Sequence, residues 1–290
     1  MNKLPLISVI MNCHNGKRFL SSSIESVLNQ SYKNWEIIFF DNNSSDNSKE
    51  IFKSYKDKRL KYFKSSKLIN LYAARNLALK KTKGKFITFL DTDDLWNKEK
   101  LKKQIKKILK KKNLFLYSNY YILHKNKKKL LSKKVLPSGY ITTNLLKYYF
   151  IGILTVMFDK DLIKKNKLSF NKKYNIIGDF DLFIKLSTKT KFSYLHDPVA
   201  TYRKHSQNYS RKNVDLYIKE LKYWYQKNKK NYGKHDLKNL FFLIKYLEAK
   251  YDIFNFKYID AIKKIIKFPI SVKKIKLFLL LFLRKKNFSF

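Results

Sequence analysis

The first 100 residues alternate short apolar runs with stretches whose apolar positions recur every three or four residues, the rhythm of βαβ units around a mainly parallel sheet. Leu6 to Met11 reads as a buried strand. Leu20, Ile24, Val27 and Leu28 then mark a helix with a Ser-rich start able to cap it. Trp35 to Phe40 is a second strand running into Asp41, and Asn42-Asn43-Ser44-Ser45-Asp46 makes the turn and cap for a helix around Glu50 to Tyr55. A third strand covers Leu60 to Phe63, and a helix covers Leu71 to Leu79. Gly84 breaks the pattern before a fourth strand, Phe86 to Leu90, that ends in Asp91-Thr92-Asp93-Asp94.

Beyond that point the rhythm changes. A Lys-rich helix spans about Lys98 to Lys112, a strand Leu114 to Tyr121, a hairpin Lys125 to Lys129, and further strands lie near Thr155 to Phe158 and Phe192 to Leu195. From Val214 onward Leu216, Leu221, Trp224, Leu240, Leu243, Ile244 and Leu247 fit helices only. The reading is an α/β domain over residues 1–211, with a first half to residue 110 and a second from 111, followed by a helical basic extension over 212–290.

Acidic side chains fall where strands end, and ligands of open α/β sheets bind outside the carboxyl ends of the strands. Three carboxylates within Asp91–Asp94 repel one another unless a cation neutralises them, and a hard divalent ion such as Mg²⁺ or Mn²⁺ suits oxygen ligands at a phosphate site. The plainer reading is a solvated acidic turn capping the helix that starts near Asn97. Asp179-Phe180-Asp181 opens another helical pattern, where a carboxylate serves either as a cap or as a general base, and the local residues leave both open. Arg75 and Arg203 suit a diphosphate better than lysine does, because a planar guanidinium grips it bidentately. His205 is two residues further on, where a structural histidine and a neutral imidazole beside a carboxylate–metal site are both chemically sensible.

Composition narrows the classes. The formal net charge of +44 on 290 residues suggests an anionic partner, yet only six of the 65 basic residues are arginine, and lysine rises together with Asn, Ile, Phe and Tyr as in a chain-wide compositional bias. A polyanion- or nucleic-acid-binding protein, with aromatic–Lys interleaving over Lys219 to Lys230, is therefore one alternative, and it leaves the acidic strand ends unexplained. A nucleotidyltransferase is another, though Asn15-Gly16-Lys17-Arg18 is only a fragment of the loop it needs. The single cysteine, Cys13, excludes an internal disulfide; with no signal-peptide pattern and no apolar run near 20 residues, a cytoplasmic protein is expected. Dinucleotide-binding, P-loop, zinc-protease and nucleophile-elbow motifs are all missing.

Five stretches carry a resemblance: ISVIMNCHNGKRFLSSSIESVLNQSYKNWEIIFFDNNSSDNS at the start, AARN at 73–76, FLDTDD at 89–94, GDFDLFIKL at 178–186 and YRKHSQNYS at 202–210. In this order they resemble inverting family 2 glycosyltransferases of the GT-A fold, over roughly residues 5–211. The resemblance implies that Asn12, His14, Asn15 and Asp41 hold the nucleotide base and ribose, and that Arg75 approaches the base or diphosphate. It sets Asp91 near the ribose and Asp93 on the metal with help from Asp94, while Arg203 and His205 close over the diphosphate, His205 reaching the metal. Asp179 matches the catalytic base. A UDP-sugar donor, a divalent metal and a glycan or lipid-linked acceptor in surface-glycan synthesis are implied, with no specific nucleic acid. Many relatives have Glu before the base, where this chain has Gly178, and Pro and Tyr where it has Asn12 and His14. The Q-x-x-R-W signature of processive synthases is missing, which implies one sugar per transfer. The basic, apolar tail from Phe256 to Phe290 is expected on an anionic membrane surface or as a packing arm, so a peripheral position on the inner face is also expected.

Overall fold

Strand β1 (Ile7–Cys13) is buried at every position, as a strand covered on both faces must be. It pairs in parallel with β2 (Trp35–Asp41), which pairs with the edge strand β3 (Leu60–Lys64); on its other side it pairs with β4 (Phe86–Phe89). The computed structural model describes residues 4–111, 114–268 and 272–282 of the chain. The sheet continues through β5 (Leu95–Trp96), β6 (Phe115–His124), β7 (Lys127–Leu130), β8 (Met157–Asp159) and β9 (Phe192–Arg203), giving the order β3-β2-β1-β4-β8-β6-β9-β5 with β7 paired to β6. Strand order reverses beside β1, so the carboxyl ends of β1, β2 and β4 open a crevice there. In register, Cys13 faces Asp41 and Ile10 faces Phe89.

Helices α1 (Lys17–Leu28), α2 (Ser48–Ser54), α3 (Leu71–Lys81) and α4 (Lys100–Lys111) follow the apolar spacing. Leu20, Ile24 and Val27 of α1 pack in the same core cluster as Leu101, Ile105 and Ile108 of α4. The serines expected to cap α1 lie inside it. Gly16 stands at the cap instead, where a Cβ would come 2.8 Å from Thr92 Oγ1 and 2.9 Å from Cys13 Sγ. Shorter helices α5 (Thr142–Lys147) and α6 (Lys160–Lys165) precede α7 (Gly178–Ser187), which begins at the acidic pair.

Two elements differ from the sequence reading. Strand β9 extends well past Leu195, because a bulge absorbs Pro198: Ser118 faces Leu195 but Asn119 faces Pro198, after which pairing resumes as far as Arg203. The two-residue β5 was not expected; Leu95 and Trp96 are held against Thr201 and Ala200 of that extension. The hairpin turns at Lys125 and Asn126, both with positive φ, as a tight two-residue turn requires. Lys112, the expected end of α4, lies outside the described residues, as does the tail from 283 to 290.

The chain divides into two compact units. One runs to Thr142 and includes Phe150–His205; the other comprises Thr143–Tyr149 and everything from Ser206. The first holds the whole sheet, to which both expected halves of residues 1–211 contribute. The second holds α8 (Tyr209–Lys212), α9 (Val214–Asn228), α10 (Lys234–Phe254), α11 (Tyr258–Ile266) and α12 (Val272–Phe282), all helical as the periodicity indicates. Its core includes Ala249, Ile253, Ala261, Ile265 and Leu277.

One lysine lies in the interior of the sheet unit. Lys100 is fully buried, its Nζ donating to Thr88 Oγ1 (2.9 Å) and Gln104 Oε1 (2.7 Å) over the Trp96 ring at 3.9 Å. Burial holds its pKa well below the ordinary lysine value. The unfolded chain therefore binds more protons than the folded one between that lowered value and the ordinary one, and stability rises with pH across the window. Lys100→Met removes this rise. Its melting temperature relative to the native chain should be higher at about pH 7 than at about pH 9.5, measured by paired thermal melts.

Candidate active site

The loops at the carboxyl ends of β1 and β2 are stapled to each other by short polar side chains. Asn15, at φ 54°, donates its N–H to Ser44 Oγ and accepts from Ser45 N–H at Oδ1 (2.8 Å). Asp46 accepts from Lys17 N–H, and His14 Nδ1 lies 3.1 Å from the Asn42 carbonyl. Asp41 is buried, with Oδ1 accepting from Ser44 N–H (2.7 Å) and Oδ2 from the Tyr62 hydroxyl (2.6 Å). That contact and burial raise the Tyr62 pKa, burial contributing most. Asn12 differs from its neighbours. It is 8% exposed, and neither end of its side-chain amide has a hydrogen-bond partner among the described residues.

Helix α3 carries the next layer. Its cap, Asn70, accepts from Tyr72 N–H and donates to the Tyr174 carbonyl, while Asn76 exchanges two hydrogen bonds with the backbone of Phe170. One helical turn separates Tyr72 from Arg75, so both point to the same side. Arg75 is buried and donates from Nη2 to Asp91 Oδ1 at 2.6 Å, with its guanidinium 5.3 Å from the centre of the Tyr72 ring. Burial, the largest influence, would lower the Arg75 pKa; the charges of Asp91, Tyr72 and Asp179 together with the Asp91 hydrogen bond outweigh it, and the net shift is upward. The Tyr72 hydroxyl lies 2.7 Å from the Ile176 carbonyl and 3.0 Å from Asp179 Oδ1. Arg75 and Tyr72 thus connect Asp91, after β4, with Asp179, at the start of α7. The glycine before Asp179 has a steric reason, since a Cβ on Gly178 would fall 2.5 Å from the Tyr72 ring.

The bulged β9 supplies the far wall. Arg203 N–H donates to Asp94 Oδ1 (2.9 Å), and its guanidinium donates to Ser22 Oγ (3.0 and 3.1 Å) across the Phe19 ring. Ser23 Oγ lies 2.8 Å from the Thr92 carbonyl and 2.7 Å from that of Asp94, so the serines of α1 hold the acidic loop. His205 packs on Phe19, its Nε2 3.0 Å from Asp93 Oδ2. Burial, then the Asp91 charge, raise the Asp93 pKa against the pull of His205. Asp94 is raised further, by burial and both neighbouring carboxylates.

The expected site residues therefore fall into two groups. Asp91 and Arg75, Asp93 and His205, and Asp94 and Arg203 meet as pairs; Asp179 joins them through Tyr72. His14, Asn15 and Asp41 stand in the stapled loops with Asn12 beside them. Asp94, expected near the metal, has one carboxylate oxygen committed to the Arg203 backbone. Among the described residues no group of three His, Cys, Asp or Glu side chains is placed to hold a metal ion. Tyr72, Tyr62, Phe19, Ser22 and Ser23 were not singled out from the sequence. Tyr72 had a readable signal, lying three residues before Arg75 on one helix.

The family model described as glycosyl transferase family 2 matches residues 8–186. The chain belongs to this family. It is 41% identical over 165 residues to the Escherichia coli UDP-Glc:alpha-D-GlcNAc-diphosphoundecaprenol beta-1,3-glucosyltransferase WfgD, covering 57% of this chain and 64% of that protein. It is 32% identical over 162 residues to the Bacillus subtilis putative teichuronic acid biosynthesis glycosyltransferase TuaG, covering 55% and 64%. The matches thus span less than two thirds of each of these relatives. Staphylococcus aureus TarS 1-349 in complex with UDP superposes with a TM-score of 0.62 at 19% identity, covering 94% of this chain and 78% of that one. The fold is accordingly the GT-A fold of such enzymes, and neither the polyanion-binding nor the nucleotidyltransferase alternative is favoured.

The buried Asp94–Arg203 contact makes a first test. Asp94→Asn keeps an oxygen for the Arg203 N–H and should melt close to the native chain. Asp94→Ala leaves that N–H without its acceptor and should lose about 2 kcal/mol in denaturant unfolding.

Proposed function

We propose that the chain transfers a sugar, one unit at a time and with inversion, from a nucleotide-sugar to a hydroxyl of a lipid-linked glycan acceptor in bacterial surface-glycan synthesis. The observation that carries this reading is the linked set Asp93–His205, Asp91–Arg75–Tyr72–Asp179 at the carboxyl ends of the first strands, beside the unpartnered amide of Asn12. A buried amide with both ends open suits the edge of a nucleobase, which offers donors and acceptors together. UDP is favoured as the nucleotide, because the first relative is named for UDP-Glc and TarS is seen with UDP. The acceptor class follows the same relative, whose name specifies a diphosphoundecaprenol-linked sugar.

A divalent ion fits the donor set. Burial, and after it the charge of Asp91, raise the Asp93 pKa, a cost that a cation relieves, and His205 adds a nitrogen ligand. Asp93 and His205 would hold Mg²⁺ or Mn²⁺, with donor oxygens completing the set; the mannosyltransferase PcManGT of Pyrobaculum calidifontis, 14% identical and superposing with a TM-score of 0.60 over 96% of this chain and 79% of that one, is seen with GDP-Man and Mn²⁺. The bound ion would neutralise charge on the departing diphosphate. Asp94 is assigned to holding the loop. Arg203 and Arg75 add positive charge around the same anion.

Asp179 is the base. It takes the proton of the acceptor hydroxyl as that oxygen bonds to the anomeric carbon, opposite the breaking bond to the diphosphate, and one displacement inverts the centre. Tyr72 orients the carboxylate, and a hydrogen bond donated to the charged form favours it. Tyr72→Phe should lower kcat about ten-fold and move the acid limb of its pH profile upward, because the base loses a partner of its charged form. An unchanged profile would assign Tyr72 to packing alone.

The donor is tested by thermal shift with UDP-, GDP-, dTDP- and CMP-sugars, with and without Mn²⁺. A UDP-sugar should raise the native melting temperature only with the metal, and Asp93→Ala should abolish the shift. Asp179→Asn should keep the shift and lose roughly 1000-fold in kcat. Stabilisation by a GDP-sugar instead would change the donor class, and no shift with any nucleotide would end the reading.

A further inference from the structure

Helix α11 is apolar on two sides. Ala261 and Ile265 are fully buried in the core of the second unit, whereas Ile259, Ile262 and Ile266, spaced by three and four residues, form one stripe on the outside. Ile259 is 71% exposed and Ile266 63%. Helix α12 repeats the arrangement: Leu277 is buried, and Ile275, Phe278 and Leu279 are exposed at the same three-and-four spacing. Phe256, just before α11, is 78% exposed. Single exposed apolar side chains are ordinary on a protein surface, but outward stripes on two consecutive short helices mark an interaction surface.

The lysines beside these stripes divide in two. Lys264 pairs with Asp252, and Lys274 donates to the Ile266 and Phe268 carbonyls, so both serve the fold. Lys257, Lys263, Lys267 and Lys276 are exposed, with no side-chain hydrogen bond or ion pair among the described residues. At about 100° per residue, Lys263 and Lys267 stand roughly 40° and 80° round α11 from Ile259, along the border of its stripe.

We propose that the outward isoleucine stripe of α11 docks on an anionic lipid bilayer. The isoleucine stripe enters the boundary between headgroups and acyl chains, and the bordering lysines meet lipid phosphates. A second copy of the chain is a poorer occupant, because a self-complementary contact sets the same lysines against each other. The inference extends the reading of a lipid-linked acceptor, but its test measures binding and not transfer, so either can fail alone.

The test is co-sedimentation of the full chain with sucrose-loaded vesicles, of phosphatidylcholine alone or with about 30% phosphatidylglycerol. The native chain should partition at least about ten-fold more strongly onto the anionic vesicles. Ile259→Ser/Ile262→Ser/Ile266→Ser changes only exposed positions and should lose about ten-fold or more of that binding, with its far-UV circular dichroism unchanged. Lys263→Glu/Lys267→Glu should lose a similar factor and needs no apolar position altered. Lys106→Glu/Lys110→Glu on the exposed side of α4 carries the same charge change and should lose much less. Equal losses from the two lysine pairs would mean that net charge alone drives binding and would overturn the proposal. So would native-like binding by the serine variant, failure of the native chain to bind anionic vesicles, or light scattering that shows a dimer dissolved by the serine changes.

Discussion

The ion pair between Arg75 and Asp91 sets the terms for everything around it. A guanidinium with 4% of its side chain exposed cannot stay unpaired, and its partner lies on the loop that leaves β4. The pair therefore fixes α3 against the acidic loop. Once α3 is fixed, Asn70 and Asn76 hold the segment that leads into α7, and Tyr72 meets Asp179. Removing Asp91 would leave the Arg75 guanidinium buried without its carboxylate, whereas Asp91, with 35% of its side chain exposed, keeps access to water. Two loops far apart in sequence are thus held by one face of one helix.

A second constraint comes from the opposite side of the crevice. The bulge at Pro198 lets β9 run on to Arg203 beside a sheet that would otherwise end sooner. Asp94 then grips the Arg203 backbone, and Ser23 takes up the carbonyls of Thr92 and Asp94. The acidic loop is held at one end by the Arg75–Asp91 ion pair and at the other by these hydrogen bonds. Its middle carboxylate, Asp93, meets the His205 imidazole at 3.0 Å beside the charge of Asp91.

Much of this was legible in the chain. The continuous apolar runs of β1, β2 and β4 and the three-and-four spacing of α1, α3 and α4 follow directly from which positions must leave water. Asp41, Asp91 and Asp93 stood at strand ends by the same reading. The extension of β9 was hidden because Asp197-Pro198 reads as a stop until a facing strand supplies a bulge to absorb it. Ser22 and Ser23 looked like caps because local rules weigh only neighbours in sequence; besides the Phe19 carbonyl one turn back, they meet Arg203 and the carbonyls of Thr92 and Asp94, which lie far along the chain. Lys100 read as one more surface lysine in a Lys-rich helix, and only the Thr88 and Gln104 oxygens opposite it explain its burial.

Gly178 carries a consequence for how such a chain can change over generations. The face of the Tyr72 ring fills the space that any side chain at 178 would need. An acid introduced at 178 before the ring shrinks would be expelled by the clash, and a ring lost first would leave a hole beside Asp179. The two positions form a ratchet with a preferred order of steps: a smaller residue at 72 must be tolerated before 178 can acquire a side chain. Lineages that share the tyrosine should share the glycine, and their acceptor chemistry should diverge as a block from lineages that keep an acid there.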